Sequence, residues 1–207
     1  DLHSFPTRRS SDLNAGASGT RILGVGSIQP EQVVTNDDLS KIMDTTDQWI
    51  RDRVGIVQRR FAAKDESVED MAVAAGANAL ADAGLTPSDV DTVIVANCTS
   101  QVPIPNAAAP VADRLGVKAA GAFDLNAACA GFCYSLGIAS DMVRCGSSKS
   151  VLVIGSEKLT DVVDAYDRAN AIIFADGAGA AVVGPSDQVG IGPAFRSEER
   201  RVGKECR

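Results

Sequence analysis

Histidine, aromatic residues and paired cysteines are scarce in this sequence, and their scarcity excludes several kinds of site. The 207 residues include a single histidine, His3, and aromatic residues make up only 4% of the chain. The cysteines are odd in number and irregularly spaced, which is a poor basis for a disulfide framework, and no CxxC pair is present. We therefore expect no zinc site of the usual cysteine and histidine type, and no bound metal.

A surplus of positive charge and a long apolar run are also missing. The formal net charge is −7, whereas a nucleic-acid-binding domain usually carries a basic surplus, so we expect no nucleic-acid partner. No apolar run approaches the length that crosses a bilayer, and residues 1–13 lack the apolar core of a signal peptide. These absences predict no membrane association and a cytoplasmic protein.

The two ends of the chain differ in character from everything between them. Residues 3–13 look like a translated sequencing adapter, and residues 196–206 look like the same adapter read from the other strand. Codons for the first stretch can be chosen so that their reverse complement encodes the second, although a pair of ordinary polar tails is the alternative. We interpret residues 1–13 and 196–207 as non-native tails and residues 14–195 as the natural segment, which then contains no histidine.

Between these ends, strand-like and helix-like segments alternate, and no low-complexity linker separates them. Such alternation favours a mostly parallel mixed sheet between layers of helices, so we predict a single α/β domain. Strands are expected at residues 20–28, 56–61, 92–96, 122–125, 150–155, 171–174 and 179–183. Helices are expected at residues 36–43, 47–53, 107–115 and 130–143, with a long one between Ser67 and Gly84.

Cys129 is the strongest candidate for a reactive residue. It lies where a predicted strand, ending near Leu125, gives way to a predicted helix. A thiol in that position is close to the positive end of the helix dipole, which favours the reactive thiolate. Small neighbours leave room for a substrate carbonyl, and backbone N–H groups at the helix start could hold a developing oxyanion. The alternative is a buried structural cysteine, which is the commoner role of a lone cysteine.

The surroundings of Cys129 resemble a known family. Residues 126–132, NAACAGF, closely resemble the nucleophile motif of ketoacyl-ACP synthase III, a family of condensing enzymes with the thiolase fold. Stretches that agree in order and spacing are residues 24–31, 45–56, 167–174 and 176–180, and the match spans nearly all of residues 21–184. The resemblance implies that this chain is the N-terminal half of a thiolase-like α/β fold.

The resemblance also implies a reaction, its partners and the role of Cys129. Cys129 would accept an acyl group from an acyl-CoA primer as a thioester, and malonyl-ACP would lose carbon dioxide and attack it. The partners implied are acyl-CoA, acyl carrier protein and a second copy of the chain in a homodimer. No cofactor is implied, because both thioesters are substrates.

Five further residues take roles from their positions in the family. Trp49, Arg53 and Arg168 correspond to contacts with coenzyme A, which suits an indole and guanidinium groups that pack against flat π systems. Ile104 and Phe174 correspond to the acyl pocket, Ile104 to that of the partner subunit. The alternatives are a half-buried core tryptophan, a solvated helix-end arginine at Arg53, a loop anchor at Ile104 and a core position for Phe174 beneath the cavity.

The chain lacks what the family supplies from its other half. A histidine and an asparagine of the C-terminal half assist decarboxylation and condensation, and residues 14–195 contain no histidine. We therefore expect the whole protein to be an acyltransferase of this type and the present chain not to be competent alone. The alternatives are a polyketide starter-unit synthase, a 3-hydroxy-3-methylglutaryl-CoA-synthase-like enzyme, or a non-catalytic module with the same fold.

Overall fold

The computed structural model describes residues 16–118 and 120–192. The two predicted tails, residues 1–13 and 196–207, lie outside these ranges. The strands are β1 (Gly19–Ile28), β2 (Gln32–Thr35), β3 (Gln58–Phe61), β4 (Thr92–Ala96), β5 (Gly121–Leu125), β6 (Val151–Lys158) and β7 (Asp176–Ser186). The α-helices are α1 (Asn36–Leu39), α2 (Asp47–Val54), α3 (Val68–Ala83), α4 (Ala108–Leu115) and α5 (Gly131–Arg144).

Five of the strands form one mixed sheet in the order β1-β7-β6-β4-β5. Strand β4 pairs in parallel with β5 and β6, and β7 runs antiparallel to both of its neighbours, β1 and β6. Four of the five strands therefore run in the same direction, and the prediction of a mostly parallel mixed sheet is confirmed. Strands β2 and β3 form a separate antiparallel ribbon.

Helices cover both faces of the sheet, and the alternation of side chains along β4 divides the core. Val93 and Val95 pack into a cluster with α3 and α4, whereas Ile94 between them packs into a cluster with α5. All three side chains are fully buried. A strand covered on both faces needs a continuous apolar run, which is what residues 92–96 provide.

Two glycines of β1 bring helix α3 unusually close to the sheet. A Cβ added at Gly24 would lie 2.3 Å from the backbone nitrogen of Ala83, and one added at Gly26 would lie 2.3 Å from that of Ala79. Any side chain at these positions would therefore push α3 away from β1. The glycines of this segment serve the packing of a helix on a strand.

The structure differs from the prediction for residues 171–174. This apolar run forms helical turns instead of a strand, because the Ala171 N–H bonds to the Asp167 carbonyl at 2.8 Å and the Phe174 N–H to the Asn170 carbonyl at 3.2 Å. The Asp167 carboxylate starts the turn by accepting the Ala169 N–H at 2.9 Å. Local capping by aspartate thus favours a turn over a short strand here.

Two smaller differences concern the ribbon region and helix α1. Strand β2 was not predicted, and α1 ends at Leu39 although the sequence pattern continues to residue 43. Among the described residues, no helix is long and apolar enough to cross a membrane. Nor do these residues bring together three or more histidine, cysteine, aspartate or glutamate side chains in an arrangement that could hold a metal ion.

Candidate functional site

Cys129 lies at the strand-to-helix junction that the sequence predicts. Strand β5 ends at Leu125, a short 3-10 turn spans Ala128–Ala130, and the 14-residue helix α5 begins at Gly131. The Cys129 residue is exposed, not packed in the core. The alternative of a buried structural cysteine is therefore wrong.

The backbone beside Cys129 has an uncommon conformation. Ala128 has a φ angle of +45°, and no other non-glycine residue of the described ranges has a positive φ. For an L-residue with a Cβ this left-handed region costs about 1–2 kcal/mol. Such strained residues concentrate at functional sites, where the surrounding structure holds them in place. The strain at Ala128 is thus a second feature that separates this junction from an ordinary connection.

Asp124 ties the end of β5 to the neighbouring helix α4. Its carboxylate accepts the N–H groups of Ala107 at 3.0 Å and Ala108 at 2.8 Å, at the start of α4. It also accepts the side-chain amide of Asn97 at 3.0 Å, just after β4. These bonds hold the loop that follows β4 beside the loop that carries Cys129.

A largely apolar cavity of about 440 Å³ opens at the carboxyl ends of β4 and β6. Cys129 is in its wall, and Phe132 and Phe174 are among the other lining residues. This volume falls in the range of small-molecule sites in proteins. We call this space the Cys129 cavity. The structure places Phe174 in the lining, as its predicted role requires, but that role stays a prediction.

Cys98 and Glu157 are polar residues of the Cys129 cavity that the sequence analysis did not predict as site residues. Both line it, and the Glu157 carboxylate accepts the Cys98 N–H at 2.9 Å and the Thr99 hydroxyl. Partial burial, followed by the hydrogen bond and charge of Glu157, raises the pKa of the Cys98 thiol to about 11. Cys98 therefore stays protonated at neutral pH.

A second group of predicted residues meets at helix α2. The Thr46 hydroxyl caps this helix by accepting the Trp49 N–H at 3.1 Å. The half-buried Trp49 ring has the guanidinium carbon of Arg53 at 4.3 Å and that of Arg168 at 4.6 Å from its centroid. Arg168 also donates to the Asp44 carbonyl at 2.8 Å. We call Trp49, Arg53 and Arg168 the Trp49 cluster.

The Trp49 cluster combines an aromatic face with two permanent positive charges. Guanidinium groups bind phosphate and stack on flat rings, so the cluster suits a ligand that contains both a phosphate and a nucleobase. The segment of helical turns at residues 167–174 links the two places. Arg168 at its start contacts Trp49, and Phe174 at its end lines the Cys129 cavity.

Ile104 is not part of either group. It lies in the loop before α4, and 86% of its surface is exposed. The structure does not bring it to the Cys129 cavity of its own chain. The prediction for Ile104 concerns the pocket of a partner subunit, and it stays a prediction.

The amino-acid sequence of the chain is similar to those of known proteins. Residues 123–197 match the family model described as 3-oxoacyl-[acyl-carrier-protein (ACP)] synthase III. The beta-ketoacyl-[acyl-carrier-protein] synthase III of Streptomyces lividans is 49% identical over 177 residues, which are 86% of this chain and 52% of that protein. The mycobacterial synthase III of Mycolicibacterium paratuberculosis is 51% identical over 179 residues, which are 86% and 53% of the two chains.

Solved structures agree with these relatives. The priming beta-ketosynthase of a polyketide biosynthetic pathway is similar with a TM-score of 0.85 and 46% identity, over 91% of this chain and 55% of that one. The 3-oxoacyl-[acyl-carrier-protein] synthase III of Aquifex aeolicus gives 0.80 and 46%, over 82% and 55%. The chain spans about half the length of the curated relatives it matches. These matches support a fragment of a beta-ketoacyl-[acyl-carrier-protein] synthase III, and the α/β fold is the thiolase fold of these enzymes.

Proposed function

We propose that this chain is the N-terminal half of an enzyme that condenses an acyl-CoA primer with malonyl-ACP and thereby starts fatty-acid synthesis. The observation that carries the proposal is the exposed Cys129 thiol at a helix start, in the wall of an apolar cavity of about 440 Å³. A cysteine so placed can reach a thioester, and the cavity can take an acyl chain.

In the first step the Cys129 thiolate attacks the carbonyl carbon of the primer thioester. A tetrahedral oxyanion forms, its carbon–sulfur bond to coenzyme A breaks, and coenzyme A leaves as a thiol after taking up a proton. The N–H groups of Ala130 and Gly131 already bond to the carbonyls of Ala127 and Ala128. The Cys129 N–H donates to no acceptor within the described ranges, so it is the donor we assign to the oxyanion.

In the second step malonyl-ACP loses carbon dioxide, and the resulting carbanion attacks the acyl group on Cys129. The carbon–sulfur bond to Cys129 breaks, which releases 3-ketoacyl-ACP and the free thiolate. The histidine and asparagine that assist this step in the family are proposed to come from the other half, since His3 is the only histidine of this chain. We therefore propose that the present chain is acylated but does not condense.

The Trp49 cluster is the proposed site for the coenzyme A part of the primer. The indole of Trp49 and the guanidinium of Arg168 would hold the adenine, and Arg53 would contact the phosphates. The cation–π distances of 4.3 and 4.6 Å show that the three side chains lie together, and the exposed Arg168 guanidinium would move away from the indole to admit the adenine between them. We propose no cofactor besides the two thioester substrates.

A homodimer is proposed from the β5 edge of the sheet, one of its two outer strands. Strand β5 pairs with β4 on one side, and no described strand pairs with its other side. An open strand edge can pair with another chain. In such a dimer, which we place in the cytoplasm, the exposed Ile104 would complete the acyl pocket of the partner subunit, beside the partner's own phenylalanine equivalent to Phe174.

A second candidate function is the priming of a polyketide pathway. It is favoured by the similarity to the priming beta-ketosynthase, with a TM-score of 0.85. The chemistry at Cys129 would be the same, and the pathway would differ in the primer and in the carrier protein. Supplying the whole protein with malonyl groups on carriers of each pathway, and comparing kcat/KM, separates the two candidates.

Acylation mapping tests the proposed function. The chain is incubated with acetyl-CoA, digested and mapped by mass spectrometry, with Cys133→Ser as the matched control because Cys133 is also exposed and lies one turn further along α5. We expect an acetyl group on Cys129 in the parent chain and in Cys133→Ser, and none in Cys129→Ser. Acetylation confined to the other cysteines would contradict the proposal.

A further inference from the structure

The ribbon of β2 and β3 carries a buried charge that the proposed chemistry does not use. Arg59 in β3 is 5% exposed, and no salt bridge within the described ranges includes it. Its guanidinium Nε has no hydrogen-bond partner. Burial lowers the pKa of Arg59. Burying a cation costs free energy of folding, and an apolar side chain would avoid that cost. A buried arginine therefore indicates that its hydrogen bonds have a role that an apolar side chain cannot take.

The hydrogen bonds of Arg59 connect it to two separate parts of the chain. Its Nη2 donates to the Asn36 side-chain oxygen at 2.8 Å and to the Ile172 carbonyl at 3.2 Å. Ile172 belongs to the helical turns that begin at Asp167 and carry Arg168. Arg59 thus holds the Arg168 segment against the ribbon.

Asn36 extends the same connection to helix α2. Its side-chain nitrogen donates to the Asp47 carboxylate at 2.8 Å and to the Ile56 carbonyl at 2.8 Å. Asp47 is the first residue of α2, and Ile56 follows just after its end. The buried Asn36 side chain therefore holds both ends of the helix that presents Trp49 and Arg53.

We propose that Arg59 and Asn36 are positioning residues that set the placement of Arg168 relative to Trp49 for the nucleotide end of coenzyme A. Neither side chain is proposed to touch the ligand. They act through α2 and through the turns at residues 167–174. The planar guanidinium of Arg59 donates to three acceptors, the Asn36 side-chain oxygen and the carbonyls of Ile172 and Val34, with a fixed geometry that the point charge of a lysine does not reproduce. This inference rests on the proposed use of the Trp49 cluster as a coenzyme A site.

The test compares Arg59→Met with Arg60→Met in the 207-residue chain. Arg60 is the next residue of β3, and its Nη1 donates to the carbonyls of Pro30 at 3.3 Å and Glu31 at 3.0 Å, which precede β2 and do not belong to the Trp49 cluster. Coenzyme A binding is followed by the fluorescence of Trp49, the single tryptophan of the chain. The rate of Cys129 alkylation by iodoacetamide is followed by mass spectrometry.

We expect Arg59→Met to weaken coenzyme A binding about tenfold, as the loss of about 1.4 kcal/mol of binding free energy does. Arg59→Lys is expected to recover little of the coenzyme A affinity that is lost in Arg59→Met. Cys129 alkylation should stay within about twofold of the parent rate, and Arg60→Met should leave both quantities within about twofold. Unchanged coenzyme A binding in Arg59→Met, or an equal loss in Arg60→Met, would overturn the proposal.

A replacement variant and a second readout cover the cases in which Arg59→Met does not fold or the parent chain binds no coenzyme A. If Arg59→Met does not fold, Asn36→Asp replaces it, because this change keeps the oxygen that accepts from Arg59 and removes the donors to Asp47 and Ile56. It should weaken coenzyme A binding in the same way, and unchanged binding would overturn the proposal. If the parent chain binds no coenzyme A, the proposed ligand is wrong. The positioning role then stands only if Arg59→Met, and not Arg60→Met, shifts the emission of Trp49.

Discussion

At the Cys129 cavity the backbone determines where the thiol lies. At the Trp49 cluster, the positions of the two guanidinium groups depend on the conformations of long arginine side chains. Cys129 follows a strained alanine and precedes a 14-residue helix, so its place depends on sheet and helix packing. Arg53 and Arg168 reach Trp49 through flexible, exposed stems. The first region suits chemistry, which needs fixed atoms. The Trp49 cluster suits binding of a charged ligand. In our proposal Arg59 and Asn36 fix the backbone segments that carry its arginine side chains.

If the two regions are separable, removing the thiol should abolish chemistry without affecting binding. Cys129→Ala is expected to accept no acyl group from acetyl-CoA, because no sulfur remains to form the thioester. Its affinity for coenzyme A, measured by isothermal titration calorimetry, should stay within about twofold of the parent value. A large loss of affinity would show that the two regions act as one.

The thiols of Cys98, in the wall of the Cys129 cavity, and of Cys145, at the C-terminal end of α5, should differ strongly in the pH dependence of their alkylation. With its pKa raised to about 11, Cys98 has about one thousandth of its molecules as thiolate at pH 8, so its rate of alkylation by iodoacetamide should rise about tenfold per pH unit and level off only near pH 11. Cys145, whose pKa is lowered by hydrogen bonds from Ser147, is the internal reference and should react at lower pH.

Glu157 should be responsible for part of that difference. Replacing its carboxylate in Glu157→Gln removes a negative charge beside the thiol, so the alkylation midpoint of Cys98 should move to lower pH. Peptide mapping across a pH series measures both thiols in one sample. Alkylation of Cys98 as fast as that of Cys145 at pH 8 in the parent chain would count against this description of the cavity wall.

Removing the ring of Trp49 should have the converse effect to removing the thiol. Stacking of a base on an aromatic ring contributes about 1–3 kcal/mol, so Trp49→Ala should weaken coenzyme A binding at least about fivefold, as measured by calorimetry. Iodoacetamide alkylation of Cys129 should be unchanged. Replacing Trp49 by phenylalanine, which keeps a flat ring, is the matched control and should retain much of the affinity.

The smallest effect concerns the strained residue itself. Ala128→Gly should relieve the left-handed φ of +45°, but the added freedom of glycine in the unfolded chain offsets part of the gain. The net change should be a stabilisation of up to about 1 kcal/mol, read from urea denaturation. Ala128→Val, a β-branched residue in the same conformation, should destabilise instead. The reverse order of stability would mean that the backbone at Ala128 does not hold this conformation.

Local signals in the sequence were sufficient for the junction at Cys129 and for most helix ends. Thr46 and Ser67 cap α2 and α3 through their hydroxyls, and Gly55 and Gly84 end these helices. Such signals are contained in a few adjacent residues, so they can be read without knowing the tertiary structure. The strand-to-helix change around Cys129 is of the same kind.

Other features depend on the sheet register, which a single sequence does not contain. Ala96 of β4 pairs with Gly155 of β6, so Cys98 and Glu157 each lie two residues beyond a paired position and meet at the same edge. Cys98 and Glu157 are 59 residues apart in the sequence, so no local pattern indicates that they are in contact. The prediction of a strand at residues 171–174 is wrong because the pattern of a short apolar stretch does not distinguish a strand from a helical turn.

The most direct test of the account compares the acylation of Cys129 by acetyl-CoA with that by acetyl-pantetheine, which has the same thioester but no nucleotide. We predict that acetyl-CoA acylates Cys129 with saturation and much faster at low concentration, and that Trp49→Ala lowers this rate towards that of acetyl-pantetheine. Equal rates for the two thioesters in the parent chain, or acetyl groups on Cys145 in place of Cys129, would contradict the account.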